Sequence, residues 1–189
     1  MTSVGFSQSN NPLYLDASQP VEVRLDDLMS RMTLEEKVYQ MNQFVGLDHM
    51  REAEKNLSVE ELHSNDAQGF YKGLFSDDVA QMTKEGKIGS FLHVLTTEEA
   101  NLLQELAFQS RLKIPILIGI DAIHGNALVS GTTVYPSPIT LASTWSDSFL
   151  YDVGKQSAKE MRATGSHWAF TPNIDVLRDP RWGRVGETF

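Results

Sequence analysis

Pro115–Ile120 is a continuous apolar run that stops at Asp121. A run of this length, rich in Ile and bounded by a proline and a charge, reads as a strand buried on both faces. Such a run is of the kind found in a parallel sheet covered by helices. The flanking segments agree. Ile88–Leu95 predicts a second strand and Trp168–Val176 a third, separated by helices over Thr97–Leu112 and Asp147–Thr164. Thr96 with Glu99 reads as a capping box opening the first of these helices, and Gly165 is placed to end the second. Strands alternating with helices of 10–18 residues define βαβ units and an α/β fold.

The amino-terminal part is more helical. Residues 1–20 read as an irregular lead-in, and Val21–Met32 has the apolar spacing of a helix face. Thr33 and Glu36 read as another capping box. In the helix it opens, Val38, Met41, Phe44 and Val45 are expected on the buried face, with Met29, Met32 and Met41 in the core. Residues 46–76 are polar and of mixed charge, and are expected to form one or two helices within an insertion. Val79–Gly86 predicts a short helix, and residues 125–138, with two glycines and two prolines, a loop. Asn56-Leu57-Ser58 matches a glycosylation sequon by letters only.

Charge and composition narrow the partners. Sixteen basic and 25 acidic residues give a net charge of −9, without a clustered Lys/Arg stripe. This argues against nucleic acid and anionic membranes, and suits a neutral, hydroxyl-rich or cationic ligand. No stretch of about 18 apolar residues occurs. Met1–Asn11 lacks the basic-then-apolar order of a secretory signal, and localisation stays open. The absence of cysteine removes thiolate metal sites and cysteine nucleophiles. The five histidines, at 49, 63, 93, 124 and 167, show no metal-site spacing, so neither metal nor organic cofactor is expected. No dinucleotide fingerprint, Walker loop or nucleophile elbow is present.

Two strand ends carry the candidate chemistry, because ligands of parallel α/β folds bind at the carboxyl ends of strands. The first is Asp121-Ala122-Ile123-His124-Gly125. The second is Arg178-Asp179-Pro180-Arg181-Trp182-Gly183-Arg184, followed by Val185-Gly186-Glu187. A carboxylate only accepts hydrogen bonds and a guanidinium only donates them, whereas a sugar hydroxyl does both. Asp121 with an arginine would therefore grip adjacent ring hydroxyls; the other reading is that Asp121 caps a turn. His124 either touches substrate or fixes its loop. Arg178, Arg181 and Arg184 either meet a ligand or pair with Asp175, Asp179 and Glu187. Trp182 either stacks on a sugar face or anchors the loop.

Ile118–Gly125 and Arg178–Arg184, together with Asp27–Lys37, resemble in order three signatures of family 3 glycoside hydrolases. The resemblance spans about Asp16 to Phe189, and Gly131–Pro136 is similar to the β-glucosidase and glucan exohydrolase branch. It implies that residues 21–189 are the amino-terminal portion of a (β/α)8 TIM-like barrel, incomplete in this chain, with three of eight strands. The 189 residues are indeed short of the ~250 of a typical barrel. An α/β sandwich domain would follow. It also implies retaining, exo-acting release of terminal β-D-glucosyl residues, with β-linked oligosaccharides or glucosides as partners. By position, Asp121 and Arg184 would bind the substrate's terminal ring, with His124, Arg181, Trp182 and Glu187 in supporting places. The nucleophilic Asp and the acid/base Glu would lie beyond residue 189. Two readings compete: a non-catalytic carbohydrate-binding or interaction module built on a partial barrel, and a three-stranded flavodoxin-like domain.

Overall fold

The structure, a computed structural model, describes residues 12–62, 71 and 73–188. A 3₁₀ turn at Leu13–Leu15 leads into α1 (Val21–Arg31), then α2 (Leu34–Tyr39) and β1 (Gln43–Val45). Next come α3 (Leu47–Asn56), α4 (Val59–Leu62), α5 (Ser76–Lys84), β2 (Ser90–Leu92) and α6 (Thr97–Ala107). β3 (Leu117–Ile120), α7 (Pro138–Ala142), α8 (Asp147–Ala163) and β4 (Trp168–Ala169) follow, and a 3₁₀ turn covers Val185–Glu187.

The four strands lie side by side in chain order, β1-β2-β3-β4, and every neighbouring pair is parallel. A doubly wound sheet reverses direction at a switch point, as in the 2-1-3-4-5 order of flavodoxin-like folds. Sequential order without reversal instead winds one way, as in a (β/α)8 barrel. The flavodoxin-like alternative is therefore set aside.

The sheet has one strand more than the sequence pattern indicated. Val38, Met41, Phe44 and Val45 do not share a buried helix face: α2 ends at Tyr39, and the chain turns through Gln40–Asn42 into β1. Asn42 O accepts both Gly89 N and Ser90 N at 3.2 Å, which ties the turn to the start of β2. A Cβ on Gly89 would lie 2.0 Å from Gln40 O, so only glycine admits this approach. Phe44 enters the core, while Val38 and Met41 are exposed. The methionines expected in the core are likewise mostly outside it. Met29 is exposed because α1 buries no residue, its apolar stripe facing a groove beside the 3₁₀ turn and the end of α6.

β4 is shorter than the expected Trp168–Val176. Pro172 has no N–H for a ladder, and Ile174 and Val176 are exposed rather than enclosed. The expected loop over 125–138 ends in a short helix, α7, with Pro138 at its first position. The Thr33 capping box forms in full, with Thr33 Oγ1 accepting from Glu36 N and Glu36 returning to Thr33 N. The Thr96 box forms by half. Thr96 Oγ1 accepts from Glu99 N, but the Glu99 carboxylate turns to accept Asp48 N at 3.0 Å instead. Residues 46–76 do carry helices, α3 and α4, and also the first residue of α5. Residues 63–70 and 72 of that segment, including His63 and Gly69, lie outside the described residues.

Candidate active site

The carboxyl ends of β1, β2 and β3 form one edge. Gly46 N donates to Leu92 O at 2.9 Å, and α3 starts at once, so the inserted helices stand at this edge. His93 N donates to Gly119 O at 2.9 Å, so the chain leaving β2 stays on β3 for one more residue.

Two non-glycine residues then adopt left-handed backbone, His93 at φ 56° and Ala122 at φ 45°. Each turns the chain sharply where a strand ends, and such outliers gather at functional sites. The two turns bring neighbouring side chains together. His93 Nε2 lies 2.9 Å from Asp121 Oδ2, with both side chains partly exposed. An ionised carboxylate has no hydrogen to give, so Nε2–H is the donor. Among the described residues, this is the hydrogen bond Asp121 makes with protein, which leaves Oδ1 open to the edge.

Arg184 stands in the segment after β4. Its guanidinium makes a forked contact with Glu187, Nε lying 3.1 Å from Oε1 and 3.0 Å from Oε2. That hydrogen bonding, and the charge of Glu187, raise the Arg184 pKa further; the charges of Asp121 and Asp175 add smaller attractions. Arg184 reciprocally holds the Glu187 carboxyl below the usual range. Asp121 and Arg184 thus lie within Coulombic reach without a direct bond. Glu187 is steadied in turn by Asn173 Nδ2 at 3.4 Å, and Thr188 Oγ1 donates to Asp175 O at 2.6 Å.

The other candidates separate. His124 Nδ1 is 3.0 Å from Tyr135 O, and Tyr135 N donates to His124 O at 2.8 Å, an arrangement that pins the loop after β3. Gly125, at φ 98°, sits under that loop, where a Cβ would come within 2.3 Å of Thr133 O. Arg181 is occupied by Asp179, with Nε 2.9 Å from Oδ1, and its side chain is 88% exposed. Trp182 is exposed rather than enclosed as an anchor. Beside the edge, Ala122, Leu141, Leu150, Val153 and Met161 line an apolar concavity of about 470 Å³. Its lining is mainly apolar, with Ser157 and Thr171 as the hydroxyl-bearing side chains. Among the described residues no group of three or more His, Asp or Glu could hold a metal ion.

His93 is the functional candidate that sequence reasoning passed over. It sits inside an apolar strand pattern, and only the β2–β3 register reveals that it meets Asp121.

A one-way parallel sheet, with a carboxylate, an imidazole and a guanidinium gathered near its carboxyl edge, is the arrangement of part of a (β/α)8-type barrel. Residues 33–189 match the model of the glycosyl hydrolase family 3 N terminal domain, and the chain belongs to that family. It is 30% identical over 182 residues to a periplasmic beta-glucosidase of Salmonella typhimurium, covering 95% of this chain and 20% of that one. An exo-1,3/1,4-beta-glucanase from a Pseudoalteromonas species superposes with a TM-score of 0.66 at 25% identity, over 95% of this chain and 20% of that one. A mutant beta-glucosidase from Listeria innocua, solved with laminaribiose, superposes at 0.63 with 30% identity, over 87% and 21%. The chain spans less than a third of the length of the curated relatives it matches.

Proposed function

We propose that this chain supplies the terminal-sugar half of the active site of a retaining, exo-acting β-glucosidase. The observation that carries the reading is Asp121 at the carboxyl end of β3, within Coulombic reach of an Arg184 held by Glu187. Asp121 accepts hydrogen bonds from hydroxyls of the non-reducing-end glucosyl ring, and Arg184 donates to the same ring. Each charge-assisted bond is worth about 1.5–3 kcal/mol. The relatives named above, a β-glucosidase and an exo-β-glucanase, support a β-glucoside or β-glucan as substrate.

The chemistry requires two carboxyl groups about 5–5.5 Å apart. One attacks the anomeric carbon while the other protonates the departing glycosidic oxygen, giving a covalent glycosyl–enzyme. The second then deprotonates a water that displaces the enzyme carboxylate, restoring the β-configuration. No metal or organic cofactor takes part in this scheme. In this reading both groups come from residues after Phe189, and Asp175, Asp179 and Glu187 are not the nucleophile. The residues of this chain act by binding and orienting the ring, and hydrogen bonds that tighten at the transition state raise the rate.

The test is kinetic. In the full-length protein, Asp121→Ala and Arg184→Ala should each lower kcat/KM on an aryl β-glucoside by about 10–100-fold, each replacing a charge-assisted bond. The 189-residue chain should show no turnover, and an aryl β-xyloside should be the poorer substrate. Unchanged kinetics in both variants would overturn the site. Turnover by the 189-residue chain would overturn the placement of the catalytic groups. Glucan binding without cleavage by the full-length protein would favour the non-catalytic module.

A further inference from the structure

We propose that His93 is a positioning residue for Asp121, holding its carboxylate so that the free oxygen faces a hydroxyl of the substrate ring. The inference rests on the reading of Asp121 as a sugar ligand.

The argument begins with rotational freedom. An aspartate χ2 is broad and two-fold, so a partly exposed carboxylate presents either oxygen at a range of angles. Freezing it on binding costs conformational entropy at the moment when orientation matters. Here one oxygen is already committed, Oδ2 lying 2.9 Å from His93 Nε2. The bond comes from the adjacent strand, and the strands are rigidly related. Leu92 pairs with Gly119, and His93 N donates to Gly119 O at 2.9 Å. Imidazole and carboxylate are therefore spaced by the sheet itself, and Oδ1 remains as the acceptor for a ligand.

The backbone at His93 adds a second observation. Its φ of 56° is a conformation that glycine adopts without penalty. A bulky side chain is retained there against that penalty, and its ring tip reaches the one carboxylate at the end of β3. Its carbonyl is also confined, since a Cβ on Gly46 would lie 3.0 Å from His93 O. The turn is thus packed from the β1 side as well, so the ring leaves it from a fixed base.

These features separate a structural role from a positioning one. Replacing His93 by glycine relieves the left-handed backbone and removes only the ring. If the ring merely stabilised the turn, the substitution would leave activity intact. If it orients Asp121, activity falls while the fold is kept.

The experiment compares kcat/KM on an aryl β-glucoside, with thermal melting, for wild-type full-length protein, Asp121→Ala, His93→Gly, His93→Gln and the double variant Asp121→Ala/His93→Gly. His93→Gly should melt at or above the wild-type temperature and lose about tenfold in kcat/KM. His93→Gln carries an amide N–H at a reach similar to Nε2, and should recover to within about threefold. In the Asp121→Ala background His93→Gly should cost nothing further, because its partner is gone. Wild-type kcat/KM in His93→Gly would overturn the proposal. So would a loss that multiplies with that of Asp121→Ala, or one that glutamine does not repair. Wild-type kinetics in Asp121→Ala would instead overturn the underlying functional reading, which separates the two failures.

Discussion

Around β2, thirteen buried apolar residues drawn from β1, α3, α5 and α6, and from β2 and β3 with the residues flanking them, form one continuous cluster, with Phe91, Leu103 and Ile118 fully enclosed. Around the other side of β3 the matching cluster has four, Ile120, Ala122, Val129 and Met161. The helix there is long, yet α8 buries only Val153, Ser157 and Met161 over 17 residues, and its partner β4 has two residues. The difference separates two jobs. The dense side holds β2 and β3 in register and thereby spaces His93 and Asp121. The sparse side carries Arg184 on a long irregular segment, tied by the Arg184–Glu187 pair and by the Thr188 hydroxyl donating to the Asp175 carbonyl.

The sharpest way to break this contrast is to cut equally into both clusters. Phe91→Ala should cost about 3–5 kcal/mol, because a fully enclosed site on a sheet has no neighbour free to collapse into it. Met161→Ala should cost about 2 kcal/mol or less, since the Met161 side chain borders the open concavity. Denaturant unfolding of the 189-residue chain carrying each substitution measures both. Equal losses would mean that the two sides are packed alike.

A second test concerns the carboxylate that the dense side encloses. Burial pushes the Glu99 carboxyl above its ordinary value of 4.5, against the opposing hydrogen bond from Asp48 N. A folded-state pKa above the unfolded one means that the folded protein binds more protons between the two values. Stability from this group is therefore greatest in acid and declines as pH rises from about 4.5 through the raised value. Glu99→Gln keeps an acceptor for Asp48 N and should flatten that slope. Glu99→Ala leaves the amide without its partner and should cost about 1–3 kcal/mol at neutral pH. Melting temperatures across pH 4–8 check both, and an unchanged slope in Glu99→Gln would place the charge outside the core's influence.

The smallest effect belongs to the sparse side. Arg181→Ala removes an ion pair whose arginine is 88% exposed, and should change stability by less than about 1 kcal/mol. A larger loss would show that the segment after β4 depends on this pair more than its exposure indicates.

Much of the fold was legible because periodicity speaks over long windows. α1, α6 and α8 begin at the expected Val21, Thr97 and Asp147, and the apolar run ending at Ile120 is β3. β1 was not legible. Its three residues are too few to set a period of two, and Val38, Met41, Phe44 and Val45 happen to match a helical spacing. What decides the matter is a contact across the chain, the turn over Gln40–Asn42 resting on Gly89. Glu99 misled in a similar way. A local capping rule predicts its return to Thr96, but the Asp48 amide, 51 positions away, offers the competing donor.

The same boundary runs through the site. Sequence alone determined the α/β class, the strand end at Asp121 and the arginine-rich segment after the last strand, because each is a statement about neighbours in the chain. Tertiary structure decided which of these groups meet. Parallel pairing sets His93, just past the end of one strand, against Asp121, just past the end of the next. The segment after β4 keeps Arg184 with Glu187, within Coulombic reach of Asp121. Such pairings depend on register, and register follows from hydrogen bonds and packing between segments that no local pattern contains.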